Sequence, residues 1–112
     1  MSSSQKSFAV GTDIVSLDRI RTVLGRHEER FLRRVLTERE REGARGDLAS
    51  YVAGRFAAKE AVYKALCSWD AERFAGLPWQ SVEIVRGAHG APVVALLGSF
   101  EAPIIELSIS HE

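Results

Sequence analysis

The chain has 112 residues, of which 46% are hydrophobic and 27% are charged, and its 15 basic side chains balance its 15 acidic ones. A chain of this length buries roughly two thirds of its unfolded surface, which supports one modest core and excludes two independent domains. We therefore expect a single domain over residues 1–112. The zero net charge argues against a non-specific binder of nucleic acid or of anionic membranes, because such proteins usually carry a basic excess.

The cysteine content and the N-terminus favour an intracellular protein. Cys67 is the only cysteine, so no internal disulfide can form, and no Cys/His cluster has the spacing of zinc ligands. The start of the chain, MSSSQKSFAVGTD, lacks the apolar run of about 7 to 15 residues that a signal peptide needs. No stretch approaches the roughly 18 apolar residues of a membrane span. We expect a cytoplasmic location.

The first predicted element is a strand over residues 8–15, FAVGTDIV. Its apolar and β-branched residues suit a strand, but Gly11 and Asp13 interrupt the pattern. An interior glycine often marks a bulge or a place where another group approaches the backbone closely. We therefore expect this strand to carry part of a site.

Helical periodicity begins after Ser16, which is a suitable N-cap, and Gly25 is the predicted end of this first helix. A second, short amphipathic helix is predicted over residues 31–36. It is followed by Thr37, a turn or capping residue, and by a charged connection, EREREGARG. The stretch from Arg19 to Arg45 holds nine of the twelve arginines, a pattern most typical of a solvated surface.

The strongest helix prediction covers residues 49–67, which are rich in alanine and contain no proline. Residues 68–80 are predicted to form a long connection broken by Gly76 and Pro78. Three strands are expected after it, at residues 81–86, 92–97 and 104–109, and the first two are joined by a turn suited to a hairpin. This order predicts an α+β fold in which helices pack on one face of a small, mostly antiparallel sheet.

The long helix places charged residues close to its apolar face. At 100° per residue the apolar face is formed by a defined set: Val52, Phe56, Tyr63, Leu66 and Cys67. Lys59 lies inside this face and must extend to water or find a partner, because an unpaired buried ammonium is costly. Glu60 lies at the edge of the face and Lys64 just beyond it. The two could form an ordinary surface pair worth about 0.2–0.5 kcal/mol.

If Asp13 lies near Glu60 and Lys64, these two residues have a second interpretation besides an ordinary surface pair. Its carboxylate stands where an apolar strand would bury a residue, so it either caps a turn or faces a site. Asp13 and Glu60, with a lysine one turn from the latter, would suit Mg²⁺ bound to a diphosphate, because Mg²⁺ takes one or two carboxylates together with phosphate oxygens. The remaining candidate, His111, follows a strand-like LSIS segment, a position more typical of a surface or packing histidine.

Taken in order, the segments VGTDIVSLDRI, RFAAKEAVYKAL and LSISHE resemble the 4′-phosphopantetheinyl transferases, in particular the short holo-acyl-carrier-protein synthase type. The resemblance extends over essentially the whole chain and is weakest between Ser68 and Gly90. It implies an enzyme that moves the phosphopantetheine arm of coenzyme A onto a serine of an acyl carrier protein and releases 3′,5′-ADP. It also implies a homotrimer with active sites at the subunit interfaces.

The resemblance further implies a role for each candidate residue. Asp13 and Glu60 would hold Mg²⁺ on the coenzyme A diphosphate, and Glu60 would take the proton of the carrier serine, directly or through a metal-bound water. Lys64 would neutralise phosphate charge or protonate the leaving oxygen. Arg55, Lys64 and His111 would line the coenzyme A pocket.

The same resemblance gives some of the arginines a partner. Carrier proteins of this family present an acidic helix beside their serine, and Arg19 and Arg26 match positions of the basic first helix that meets it. Complementary charge of this kind raises the association rate and fixes orientation.

Three departures from the family pattern support an alternative, a family member that binds carrier protein or coenzyme A without transfer. A Cys-Ser-Trp sequence at residues 67–69 replaces a Gly-Thr-Gly turn, Ala91 replaces a lysine, and the chain ends at Glu112, before an expected final strand. A third interpretation, nucleic-acid contact by the arginine-rich stretch, is opposed by the five glutamates within it.

Overall fold

The computed structural model describes residues 8–98 and 103–109, and over these ranges the protein has an α+β fold. Two short 3₁₀ turns, at Trp79–Ser81 and Ala88–Gly90, flank the first strand. The regular elements in chain order are α1 (Leu17–Val35), α2 (Glu38–Glu42), α3 (Leu48–Trp69), α4 (Ala71–Phe74), β1 (Val82–Arg86) and β2 (Pro92–Leu96). None of the helices in these ranges has the length and apolar character needed to cross a membrane.

Helix α1 begins as predicted but does not end at Gly25. The Ser16 side chain accepts a hydrogen bond from the Arg19 amide at 3.3 Å, which confirms the N-cap. The chain then continues to Val35 with a kink at His27 (φ −143°, ψ 45°), so the two predicted helices form one kinked helix. The predicted interruption is thus present two residues after Gly25, and the second helical segment is longer than predicted and packs on the same core through Phe31 and Leu32.

The charged connection after Thr37 contains a short helix that the sequence pattern did not predict. Thr37 Oγ1 accepts from the Glu40 amide at 3.2 Å, and the Thr37 amide donates to Glu40 Oε1 at 2.8 Å. These reciprocal bonds form a capping box, which satisfies donors that a helix start leaves unpaired. Thr37 is therefore confirmed as a capping residue, and Glu40 is buried although its neighbours in sequence are charged.

Helix α3 confirms the strongest helix prediction and joins two hydrophobic clusters. Asp47 caps its start by accepting from the Ser50 amide at 3.0 Å. The first cluster lies against α1 and contains Ile20, Leu24, Val35, Leu36, Ala49, Val52 and Ala53. The second lies against the hairpin and contains Ala58, Val62, Leu66, Phe74, Val82 and Ile84. Because α3 contributes to both clusters, it fixes the position of the sheet relative to α1.

The predicted connection over residues 68–80 is more ordered than its sequence indicated. Asp70 accepts from the Arg73 amide at 3.2 Å and caps α4, which turns Phe74 into the second cluster, where it is fully buried. The apolar period of a four-residue helix is too short to be detected from sequence.

The hairpin of β1 and β2 is confirmed. The strands are antiparallel, with Val82 opposite Leu96 and Arg86 opposite Pro92. The connecting turn is closed by a hydrogen bond from the Gly87 amide to the Ala91 carbonyl at 2.7 Å. The φ of Gly90 is +79°, in the left-handed region where glycine has no side-chain penalty.

The predicted strands at residues 8–15 and 104–109 were wrong, since within the described ranges only β1 and β2 form a sheet. Both segments have alternating burial without strand pairing. The alternation predicts which side chains face inward, but a strand also needs a hydrogen-bonded neighbour. Their outward side chains include Phe8, Ile14 and Ile104, which are 75%, 96% and 95% exposed.

Candidate active site

The N-terminal segment crosses α3 at Gly11, where the two backbones touch. A β-carbon on Gly11 would lie 2.1 Å from the Ala61 carbonyl oxygen and 2.7 Å from the Ala65 amide nitrogen. The small side chains of Ala61 and Ala65 permit this approach. The prediction that Gly11 marks a close contact is confirmed, and the approaching element is α3.

This crossing places Asp13 beside Lys64. Asp13 Oδ1 lies 2.7 Å from Lys64 Nζ, and the same ammonium donates to the Thr12 carbonyl at 3.3 Å. The Asp13 side chain is 15% exposed and that of Lys64 is 51% exposed, so the pair lies near the surface rather than in the core. The Asp13 carboxylate therefore faces the Lys64 ammonium, and its role as a metal ligand stays a prediction.

Glu60 lies one turn before Lys64 and so shares its face of α3. The hydrogen bond from Lys64 to Asp13, helped by the charges of Asp13 and Glu60, raises the pKa of Lys64 above its ordinary value of 10.5. Because this folded-state pKa is raised, the pair stabilises the fold fully below about pH 10.5 and loses that effect only as the pH rises through the raised pKa. Lys64 is thus a fixed positive charge at neutral pH.

Two cavities flank this part of α3. A cavity of about 180 Å³ is lined by Lys59, Glu60, Tyr63, Leu77, Pro78, Trp79 and Val82. A larger one, about 450 Å³, lies between α3, residues 8–11 and residues 103–107, and its lining is mainly apolar. The smaller cavity gives Glu60 a defined wall of aromatic and apolar side chains.

Arg55 has a different environment. Its guanidinium carbon lies 4.5 Å from the centre of the Tyr51 ring, and its Nε is buried without a hydrogen-bond partner among the described residues. Burial raises the pKa of Tyr51, whose hydroxyl donates to the Glu40 carbonyl at 2.7 Å. Arg55 precedes Lys64 by nine positions, which places it on the opposite side of α3 and about 13 Å away along the axis. One copy of the chain therefore does not bring Arg55 to Lys64.

Arg19 and Arg26 are exposed on α1. Their seven-residue spacing places them on one side of the helix about 10 Å apart. Within the described ranges neither lies within ion-pair distance of a carboxylate, whereas Arg21 pairs with Asp47 at 3.5 Å. The two predicted contact arginines thus present unneutralised charge. The remaining candidate, His111, lies outside the described residues.

The sequence predicted that Lys59 extends to water or has a partner, but it did not predict that the partner is Glu40. The Lys59 side chain is 1% exposed, and its ammonium contacts three oxygens: Glu40 Oε1 at 2.6 Å, the Val35 carbonyl at 2.6 Å and the Trp79 carbonyl at 3.1 Å. Desolvation lowers the pKa of Lys59, and its hydrogen bond to Glu40 opposes that effect. The TERE sequence, with glutamate three positions after a capping threonine, was the available indication that Glu40 has a structural role.

Glu40 also binds the backbone around it. Its Oε2 accepts from the Ile84 amide at 2.7 Å, and its Oε1 accepts from the Thr37 amide at 2.8 Å. Thr37 Oγ1 in turn donates to Glu83 Oε2 at 2.7 Å. We call this set of contacts around Lys59, Glu40, Thr37 and Glu83 the buried polar network. It joins the end of α1, α2, α3 and β1.

Comparison with known proteins identifies the family of this chain. The family model of the 4′-phosphopantetheinyl transferase superfamily matches residues 9–111. The chain therefore belongs to this superfamily.

The names of individual relatives describe a narrower group within this superfamily. The chain is 44% identical to the holo-[acyl-carrier-protein] synthase of Desulforudis audaxviator over 112 aligned positions, covering 92% of this chain and 82% of that protein. It is 39% identical to the protein of the same name from Protochlamydia amoebophila over 111 positions, covering 94% and 88% of the two chains.

Solved structures agree with the sequence matches. The holo-(acyl-carrier-protein) synthase of Bacillus anthracis in complex with CoA (3′,5′-ADP) superposes with a TM-score of 0.72 at 35% identity, over 94% of this chain and 86% of that one. The Helicobacter pylori synthase in complex with coenzyme A gives a TM-score of 0.66 at 34% identity, over 78% and 72%.

The contact at Gly11 gives a first prediction. In Gly11→Ala the added methyl group cannot fit against the Ala61 carbonyl, so the N-terminal segment must move off α3, at a cost of about 1–3 kcal/mol. We expect the Asp13–Lys64 pair to open and the pKa of Lys64 to fall towards its ordinary value, as measured by NMR titration of the lysine side chain.

Gly54→Ala is the matched control, because it lies on α3 with open space around its α-carbon. It should leave the pKa of Lys64 unchanged and stabilise the helix by up to about 1 kcal/mol. A raised Lys64 pKa that persists in Gly11→Ala would contradict the role of this crossing.

Proposed function

We propose that the protein is a holo-acyl-carrier-protein synthase: as a single transferase domain it moves 4′-phosphopantetheine from coenzyme A to a serine of an apo acyl carrier protein. The observation that carries this proposal is the grouping of Asp13 and Glu60 around the Lys64 ammonium, in a chain that belongs to the superfamily. Coenzyme A is the co-substrate and 3′,5′-ADP the second product.

The carboxylates suit a magnesium ion. Asp13 and Glu60 are hard oxygen donors near one partly exposed position, and Mg²⁺ typically binds one or two carboxylates together with substrate phosphates. Asp13 and Glu60 would hold the ion. When bound, it would supply positive charge to the diphosphate of coenzyme A.

The side chains of this chain perform the remaining chemistry. Glu60, at the wall of the smaller cavity, accepts the proton of the carrier serine as that hydroxyl attacks the phosphate. Lys64 neutralises phosphate charge, because its raised pKa keeps it protonated at neutral pH. Protonation of the leaving oxygen is the alternative role of Lys64.

Arg55 supports a coenzyme A site shared between subunits. Its buried Nε has no partner among the described residues, and a buried donor of this kind suits an anionic group such as a phosphate. Since Arg55 and Lys64 lie on opposite sides of α3, one ligand can contact both only when two copies of the chain contribute. We assign His111 to the same pocket by family resemblance.

Exposed apolar side chains support association of several copies of the chain, and the family resemblance implies that the assembly is a homotrimer. Contiguous apolar surface on a small protein marks an interaction site. The large apolar residues that are most exposed among those described are Phe8, Val10, Ile14, Val93, Leu97 and Ile104. They lie on the two unpaired terminal segments and the hairpin. We place the assembly in the cytoplasm, with no nucleic-acid or membrane partner.

The charge on α1 supports docking of the acidic carrier protein. Arg19 and Arg26 face solvent on one side of α1 without a carboxylate partner in the described ranges. Such charges steer a complementary partner and fix its orientation.

A second candidate function, binding without transfer, is favoured by one observation. Residues 67–69 form the last turn of α3, where the family has a glycine-rich turn near the nucleotide. A mass assay with coenzyme A, Mg²⁺ and a panel of apo carrier proteins distinguishes the two candidates. We expect a phosphopantetheine-sized mass increase on at least one carrier, whereas binding without any mass increase would establish the second candidate.

The metal assignment is tested in the same assay. Asp13→Ala and Glu60→Ala should each lower transfer at least about 100-fold, because metal-assisted charge stabilisation is worth several kcal/mol. Each should also weaken binding of Mn²⁺, measured by electron paramagnetic resonance. Glu72→Ala, an exposed carboxylate on α4, is the control. Full Mg²⁺-dependent activity in either site variant would refute the assignment.

Charge reversal tests the carrier surface. Arg19→Glu and Arg26→Glu should each lower kcat/KM for the carrier about 10-fold at low salt, with a smaller effect at high salt, because charge steering is screened. The KM for coenzyme A should not change. Arg45→Glu, an exposed arginine outside α1, should have little effect. Equal losses in all three variants would contradict a specific docking surface.

Mixing two inactive variants tests the shared site. If Lys64 and Arg55 act from different subunits, Arg55→Ala and Lys64→Ala are each inactive. Trimers reassembled from an equal mixture should then recover about a quarter of wild-type activity, because one site in four pairs two intact residues. No recovery, in trimers shown by mass spectrometry to be mixed, would place both residues in one subunit's site.

A further inference from the structure

The chain segment that faces Glu60 across the smaller cavity is attached to α3 on both sides of Glu60. The Lys59 ammonium donates to the Trp79 carbonyl at 3.1 Å, and the Tyr63 hydroxyl accepts from the Gly76 amide at 3.0 Å. Lys59 and Tyr63 are four residues apart, so they lie on neighbouring turns of one face. Both hydrogen bonds therefore hold the 76–79 segment against the part of α3 that carries Glu60.

The Lys59 attachment is rigid. A lysine ammonium has three donors, and Lys59 Nζ has three acceptors within 3.1 Å, on Glu40, Val35 and Trp79. Each acceptor belongs to a different part of the fold. The Lys59 side chain therefore cannot rotate without losing a buried hydrogen bond, and α3 cannot turn about its axis at this point.

We propose that Lys59, through its buried pair with Glu40, is a positioning residue for Glu60, an inference that rests on the proposed function. Glu60 follows Lys59 directly, so an α3 fixed at Lys59 also fixes the direction of the Glu60 side chain. The pair simultaneously holds Trp79, whose ring stacks on Phe56 at a centroid distance of 4.7 Å. The Lys59–Glu40 pair thus fixes the positions of both Glu60 and the opposite wall of the smaller cavity.

A purely stabilising role would not require charge at this position. Replacing a buried ion pair by uncharged residues of similar volume is often neutral or stabilising, whereas removing one partner is strongly destabilising. The fold should therefore tolerate the loss of both charges better than the loss of one of them. A loss of catalysis in a folded variant would show that the pair fixes geometry.

The test replaces both partners at once, as Lys59→Met with Glu40→Gln. At a temperature where circular dichroism shows the protein folded, kcat for transfer should fall about 100-fold, because a misplacement of about 1 Å in a catalytic group costs that much. The KM for coenzyme A should stay within about 3-fold of wild type, because the proposed phosphate contacts are kept.

A second measurement follows the loop without using the reaction. In a Trp69→Phe background Trp79 is the only tryptophan, so acrylamide quenching of its fluorescence reports on the 76–79 segment. The double variant should make Trp79 about 2-fold more accessible to the quencher. Val52→Ala, a fully buried α3 residue two turns before Glu60, is the control for stability, and it should keep wild-type kcat and quenching.

The outcomes separate this inference from the proposed function. Low kcat and increased quenching in the folded double variant, with normal values in Val52→Ala, support the inference. A folded double variant with kcat within 3-fold of wild type overturns it and leaves the proposed function intact. Absence of transfer by the wild-type protein overturns both. If the double variant does not fold, Lys59→Gln decides: its amide cannot replace all three hydrogen bonds of the ammonium, so kcat should fall several-fold, and an unchanged kcat overturns the inference.

Discussion

The buried ion pair between Lys59 and Glu40 is the constraint on which the other contacts depend. It satisfies the last carbonyl of α1, holds Glu40 against the backbone of β1 and restrains the loop before that strand. Desolvating two charges costs several kcal/mol per ion, which only a complete set of hydrogen bonds offsets. Because the set is complete, the helices and the hairpin have one mutual arrangement, and Glu60 inherits its position from that arrangement.

The site has a second constraint, the crossing of the N-terminal segment over α3. The absence of a side chain at Gly11 permits backbone contact, and that contact brings Asp13 within 2.7 Å of Lys64. Helix α3 thus carries Glu60 and Lys64, while the crossing supplies the third charged group. Arg55, on the other side of the helix, belongs to the surface that a neighbouring copy would complete.

Much of this could be predicted from local sequence. The alanine-rich sequence predicted α3, the turn residues predicted the hairpin, and Ser16 and Thr37 were identified as capping residues. All of these features depend on residues close together in the chain. Long-range features could not be derived that way. The partner of Lys59 lies nineteen positions away, inside a charged stretch typical of solvent. The terminal strand predictions failed for the same reason: alternation shows which side chains face inward but not whether the segment has a hydrogen-bonded neighbour.

The middle of α3 has a consequence for how this sequence can vary. Every residue from 59 to 65 contacts a different feature or backbone. Lys59 pairs with Glu40, Glu60 lines the smaller cavity, and Val62 belongs to the second cluster. Ala61 and Ala65 contact Gly11, Tyr63 binds the Gly76 amide, and Lys64 pairs with Asp13. No position in these two turns is left to evolve freely, and each is constrained in size or in charge by a different part of the chain. Substitutions that preserve the fold are therefore expected at exposed positions that make none of these contacts, such as Glu72 on α4.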